Sequence, residues 1–240
     1  MAERAAIVTG ASSGIGLALA KMLGEEGHGL TVASRKPDKL EATADELRGL
    51  GYDVEVVAGA LGDEEQVQTV VAAHRERFGR LDVLVNNAGV GIGAAAGDVQ
   101  TKYLDMQLAV NLRTIVLFYR EALDLLKAAG AEHRNALVVN TASIAGKSPQ
   151  PWLSVYSATK AAVVGYSQAM NKELNNDGVK SCALCPGFVD TNMTEFIREQ
   201  VSQDDMIRVE DVAEMVRPLL HVSPACVVPE IIFQRPGETV

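Results

Sequence analysis

Short apolar runs alternate with segments of helical periodicity along the whole 240-residue chain, and this alternation restricts its fold more than any other feature. The runs AAIVT (5–9), LTVAS (30–34), VEVVA (54–58), LDVLVN (81–86), ALVVNTA (136–142), VKSCAL (179–184) and VPEIIF (228–233) read as strands. They are rich in Val, Ile and Leu without strict polar alternation, as strands buried on both faces of a parallel sheet are. Between them, 15–27, 38–50, 63–78, 101–129, 153–176 and 209–221 have helical composition and a 3.6-residue period. Right-handed crossovers between parallel strands then place helices on both sides. The expected fold class is α/β, a doubly wound, mostly parallel sheet with helices on both faces. No Pro-, Ser- or charge-rich linker breaks the series, so residues 1–240 read as a single domain.

A hydrophobic fraction of 48% is that of a globular chain. The net charge of −9, from 22 basic and 31 acidic residues, argues against nonspecific nucleic-acid binding but permits a local basic pocket. No apolar run approaches the length of a membrane span, and strand-like sequence begins at residue 5, so the expectation is a cytoplasmic protein without a signal peptide. Cys182 and Cys185 form a C-x-x-C, but in a strand they face opposite sides, and no second pair completes a zinc site. They read as small buried thiols. His28, His74, His133 and His221 show no metal-ligand spacing and read as surface or filler, so no metal is expected.

The first strand runs into TGASSGIGLALA. A glycine-rich turn between a strand and a helix offers backbone N–H groups and a helix N-terminus to a pyrophosphate. Gly10, Gly14 and Gly16 would supply the turn, the close approach and the tight helix packing, spaced G-x-x-x-G-x-G rather than G-x-G-x-x-G. After the second strand, where an acid would hold the ribose 2′-OH of NAD, the chain reads Ser34-Arg35-Lys36. Arg35 can fork onto a 2′-phosphate and Lys36 can add a second charge, so NADP(H) is expected over NAD(H).

In YSATK (156–160), Tyr156 and Lys160 stand four apart and would be neighbours on one helix face. A nearby cation favours the phenolate and lowers a tyrosine pKa towards neutrality.

These residues resemble the short-chain dehydrogenase/reductase family from Thr9 to Thr191. The resemblance rests on TGASSGIG (9–16), NNAG (86–89), Asn111 in AVNL, Ser143 in NTAS, YSATK and PGFVDT (186–191), in that order. It implies a Rossmann-like fold and a catalytic set of Asn111, Ser143, Tyr156 and Lys160. By that resemblance Tyr156 is the acid/base that exchanges a proton with the substrate oxygen. Lys160 lowers its pKa and binds the nicotinamide ribose, Ser143 holds the substrate oxygen, and Asn111 shapes a water chain through Lys160. Cofactor contacts are implied at Gly10, Ser12, Ser13, Gly14, Ile15 and Gly16, with Arg35 and Lys36 beside the adenosine. Asn87, Ala88 and Gly89 would run beside the adenine ribose, while Pro186, Gly187, Val189 and Thr191 complete the cofactor wall. Without these roles, Asn111 reads as a cap or the bridge of a helix kink, Ser143 as a turn residue, and NNAG as a structural turn.

The sequence departs from the family pattern in two places. Ala60 stands where an acid usually meets the adenine amino group, leaving the Leu61 backbone for that contact, and VVPEIIFQRPGETV replaces the usual glycine-rich end. Substrate choice would lie in Val90 to Ala96, Ile144 to Leu153 and Phe188 to Ile197, with Trp152, Phe188 and Met193 as substrate contacts and Met193, Phe196 and Ile197 as a lid. A moderately apolar ketone or secondary alcohol would fit: a 3-oxoacyl, steroid-like or xenobiotic carbonyl. The short segment between the sixth strand and the last helix argues against a large enclosed pocket. The leading expectation is an NADPH-dependent carbonyl reductase. The alternatives are an NADP-dependent alcohol dehydrogenase working oxidatively and a catalytically silent NADP(H)-binding sensor. The resemblance also implies a homodimer or homotetramer joined through the helices at 101–129 and 153–176.

Overall fold

The computed structural model describes residues 3–237. Its elements follow the order β1 (Arg4–Thr9), α1 (Gly14–Glu25), β2 (His28–Ser34), α2 (Pro37–Gly49), β3 (Val54–Ala58), α3 (Glu64–Phe78) and β4 (Val83–Asn86). Then come α4 (Thr101–Leu108), α5 (Thr114–His133), β5 (Ala136–Thr141), α6 (Ser154–Leu174), β6 (Val179–Pro186), α7 (Val209–Val216) and β7 (Glu230–Phe233). The seven strands form one sheet in the order β3-β2-β1-β4-β5-β6-β7, and every neighbouring pair is parallel.

Alternate residues of each strand feed two cores. Ala6, Val8, Leu30, Val32, Val83, Val85, Val139 and Leu184 pack with Leu19 and Leu23 of α1, Leu40 and Leu47 of α2, and Val212 and Val216 of α7. Ile7, Ala33, Leu84, Val138 and Ala183 pack on the opposite face with Val67 and Val70 of α3, Phe118 and Leu126 of α5, and Val163 of α6. Both faces are covered, which is why the strands carry continuous apolar runs. Cys182 and Cys185 fall in different cores, as their spacing requires.

Several boundaries differ from the sequence expectation. The helix expected over 101–129 is divided: α4 ends at Leu108, a π-type turn occupies Ala109–Arg113, and α5 continues to His133. The last helix passes at Arg217–Leu220 into a 3₁₀ turn at Pro218, whose ring cannot continue an α-helix. The strand expected at 228–233 is ordered as a strand only from Glu230.

β1 lies between β2 and β4, so the chain winds outward from it in both directions. The connections on its two sides diverge there and open a crevice at the carboxyl ends of the strands. Asn86 and Asn87 tie those ends together. The Asn86 carboxamide donates to Asn140 Oδ1 (2.9 Å), the Asn87 N–H donates to Thr9 Oγ1 (2.9 Å), and Thr141 Oγ1 donates to Asn87 Oδ1 (3.1 Å). NNAG therefore performs the structural work foreseen for it.

Candidate active site

The crevice holds a cavity of about 720 Å³ that runs from Arg35, Lys36 and Lys39 at one end to Ser143, Tyr156 and Lys160 at the other. Its floor is the turn after β1. Gly10 (φ +65°) and Gly14 (φ +58°) occupy left-handed backbone that favours glycine, and the Gly10 N–H donates to Ala33 O (2.8 Å). Gly16 lies beneath: a Cβ there would overlap the Gly10 carbonyl and the Asn87 carboxamide, so only glycine lets α1 start this close to the turn. Ser13 takes the N-cap position of α1 without a side-chain capping bond, which leaves the first N–H groups of the helix available at the cavity floor.

At the basic end the net charge of the molecule is locally reversed. Arg35 and Lys36 line the cavity as expected, and Lys39 joins them from the first turn of α2. Lys39 was missed by the sequence reading, although its place three residues beyond Lys36 in a helix starting at Pro37 was the available signal. The Ser34 hydroxyl, also in the lining, is buried without a hydrogen-bond partner among the described residues.

At the other end α6 carries Tyr156 and Lys160 on one face. Lys160 is 3% exposed; its Nζ donates to Thr141 O (2.7 Å) and lies 5.6 Å from the centre of the Tyr156 ring. Burial pushes the ammonium down to about 8. Burial also raises Tyr156 above the usual phenol range, and a hydrogen bond with Ser143 pulls the other way. The direction in the protein chain alone is thus opposite to the expected lowering, because loss of solvent outweighs the hydrogen bond with Ser143. Ser143 sits 8% exposed just past β5, where its Oγ accepts from the Ala145 N–H (3.1 Å).

Asn111 is fully buried in the π-type turn and does not line the cavity. Its Oδ1 accepts from the Val90 N–H (2.8 Å), and its Nδ2 donates to Val90 O (2.9 Å) and Thr159 Oγ1 (3.1 Å). Thr159 Oγ1 in turn donates to the Tyr156 carbonyl (2.8 Å). Asn111 therefore pins the loop after β4 to α6, and Gly89 lies between it and Lys160 Nζ.

Of the other residues expected at the site, Ser12, Ile15, Ala88, Gly89, Pro186, Gly187, Val189 and Thr191 line the cavity, with Asn87 beside them. Trp152, Phe188 and Met193 line it as well. Leu61 stands apart: its side chain is in the core and its carbonyl accepts from Thr114 Oγ1 (2.7 Å). The residues present fit a nicotinamide dinucleotide, given the glycine cradle at Gly16, the unpartnered Ser34 hydroxyl and the three cations at one end. Among the described residues no cluster of His, Cys, Asp or Glu could hold a metal, and no helix is long and apolar enough to cross a membrane.

A family model described as short chain dehydrogenase matches residues 4–202. The chain is 38% identical over 212 residues to a chain named ketoacyl reductase 1 of the granaticin polyketide synthase of Streptomyces violaceoruber, covering 85% of this chain and 76% of that one. Among solved structures, an actinorhodin polyketide ketoreductase with NADPH superposes with a TM-score of 0.86 at 33% identity, covering 97% of each chain. An alcohol dehydrogenase from the archaeon Thermococcus sibiricus, complexed with 5-hydroxy-NADP, also gives 0.86, at 30% identity over 98% of this chain and 99% of that one. On its sequence match and its fold, the chain belongs to the short chain dehydrogenase family of nicotinamide-dependent oxidoreductases.

Proposed function

We propose that the protein is an NADPH-dependent carbonyl reductase that converts a ketone to a secondary alcohol. The observation that carries this reading is the single cavity joining the Arg35–Lys36–Lys39 end to the Tyr156–Ser143–Lys160 end. Ketoacyl and polyketide ketoreductases among its relatives support a ketone as substrate, and neighbours bound to NADPH or NADP support the phosphorylated cofactor. A relative from Brucella melitensis is complexed with NADH, so the basic end of this chain's own cavity is the stronger argument.

When bound, the cofactor supplies the hydride. Arg35, with Lys36 and Lys39, holds the 2′-phosphate by charge-assisted hydrogen bonds. The turn Gly10–Gly16 receives the pyrophosphate on backbone N–H groups. Ser143 Oγ and the Tyr156 hydroxyl hold the substrate carbonyl oxygen, and Tyr156 donates its proton as negative charge develops there. Lys160 stabilises the phenolate left behind, in a poorly solvated site where one charge counts for far more than in water. Asn111 keeps the backbone of Tyr156 in place through Thr159. The complete Ser–Tyr–Lys set favours an enzyme over a silent cofactor-binding sensor.

The test is a ketone panel with NADPH and NADH consumption followed. At least one ketone should be reduced, with kcat/KM higher for NADPH than for NADH. Tyr156→Phe should reduce kcat by about 10²-fold or more while retaining NADPH affinity. Faster turnover with NADH would overturn the cofactor assignment, and near wild-type activity in Tyr156→Phe would overturn the role of the tyrosine.

A further inference from the structure

Beside the main cavity lies a second one of about 410 Å³, and the two share Gly93 and Trp152 in their walls. Trp152 is therefore the partition between them. Its backbone is in the left-handed region (φ +68°), a conformation that costs a bulky residue free energy and persists only where the surroundings enforce it. The surroundings do so at three points. The Ala94 N–H donates to the Trp152 carbonyl (2.8 Å). The indole lies against Gly93, where a Cβ would overlap its ring. Phe196, in the segment after β6, meets the indole with ring centres 6.0 Å apart. Even so, Trp152 is 54% exposed, so no described residue covers its outer side to fix the ring.

The walls of the second cavity define what it can hold. Ile92, Val99, Leu104 and Val155 are apolar, and no Lys or Arg is present to receive an anion. Asp98 would repel one. Gln107 is 2% exposed; its carboxamide oxygen accepts from the Ile92 N–H (3.2 Å), and its nitrogen has no hydrogen-bond partner among the described residues. An amide donor that lines a cavity with no protein acceptor can bond an acceptor oxygen of a ligand there.

We infer that the smaller cavity is the far end of the substrate site, taking the uncharged, oxygen-bearing tail of an elongated ketone, and that Trp152 is the gate that limits tail length. The inference rests on the carbonyl reductase reading, which it deepens by naming the substrate class. Ketones whose tails stop short of the indole fit the main cavity alone. Longer tails must displace the ring from Gly93 to reach Gln107.

Trp152 is the only tryptophan in the chain, so its fluorescence reports the gate directly. Four probes suffice: butanone, a nine-carbon methyl ketone, the same chain ending in a second methyl ketone, and the same chain ending in a carboxylate. In the wild-type protein with NADPH, the two neutral nine-carbon ketones should shift the tryptophan emission, and butanone should not. Trp152→Gly, which also suits the left-handed backbone, should raise the ratio of kcat/KM for the nine-carbon ketone over butanone at least tenfold. The diketone should be preferred to the plain ketone and the carboxylate disfavoured, and Gln107→Leu should erase the preference for the diketone. An unchanged ratio in Trp152→Gly, or an emission shift of equal size for butanone and the long ketones, would overturn the gate. Should no ketone be reduced, the reductase reading falls, while the emission series still decides whether Trp152 responds to tail length.

Discussion

Lys160 is the residue on which the proposed chemistry turns, because its charge is held where water is scarce. Burial depresses its pKa from the usual lysine range to about 8, so it is charged at neutrality and loses its proton just above. With Lys160 neutral, only the hydrogen bond with Ser143 offsets the phenolate that forms on Tyr156, whose own pKa burial raises. Reductase kcat/KM should therefore be level below pH 8 and fall roughly tenfold per pH unit above it. Lys160→Arg, which keeps its charge throughout, should move that fall to higher pH in whatever activity it retains. Initial rates across pH 6–10 decide the matter, and a wild-type profile level through pH 9.5 would count against Lys160. The pairing of Tyr156 with Lys160 was legible in the spacing of YSATK, since a helix fixes which residues share a face. The direction of the tyrosine shift was not, because burial depends on elements far away in sequence. Lys160 owes its dry surroundings to α6 packing on β5 and β6, a contact no local pattern displays.

Elements decide how firmly that pair is aimed. The expected continuous helix over 101–129 would continue an unbroken 3.6-residue repeat through Asn111. The π-type turn at Ala109–Arg113 inserts extra backbone there instead, and the carboxamide meets the loop after β4. Such turns are common at functional sites. The sequence signal for it was a polar residue in an apolar helical run, already read as the bridge of a kink. What one chain could not supply was the identity of its partners, Val90 and Thr159, which lie 21 and 48 residues away. Asn111→Ala would leave both backbone groups of Val90 without their side-chain partner and release Thr159 Oγ1. A loss of about 2–3 kcal/mol is expected from the buried groups left unpaired, read as a lower urea midpoint. Because the same bonds hold the loop against α6, kcat should fall in the variant while NADPH affinity changes less. An unaltered midpoint would show that the turn, and not the carboxamide, holds the loop.

Across the whole molecule the two ends of the sheet divide the work. The carboxyl ends carry the cavity, and the amino ends are locked by buried ionisable groups. Burial alone would raise the Asp82 carboxyl, but Arg80, the Ala5 N–H and His133 together hold it below the usual range. His74 is fully buried nearby on α3, bonded to Thr31 Oγ1 (2.7 Å) and to the Arg80 carbonyl (2.8 Å). A carbonyl only accepts, so Nε2 carries the proton, and Nδ1 accepts from the Thr31 hydroxyl. The histidine read as filler from the sequence is thus a neutral bridge between α3, β2 and the approach to β4. Burial lowers its pKa to about 4. As pH falls through 6.5, the unfolded chain takes up a proton at this position and the folded chain does not. Stability is therefore intact above pH 6.5 and is lost progressively towards pH 4, by about 2–3 kcal/mol at pH 4.5. His28, also buried and lowered, adds to the loss in the same direction. Urea denaturation at pH 7, 5.5 and 4.5 should show this slope in the wild-type chain and a shallower one in His74→Gln, whatever the absolute stability of that variant. Equal slopes would mean that His74 is protonated in the folded protein, and the bridge between α3, β2 and β4 would then have to be held by a charged imidazolium.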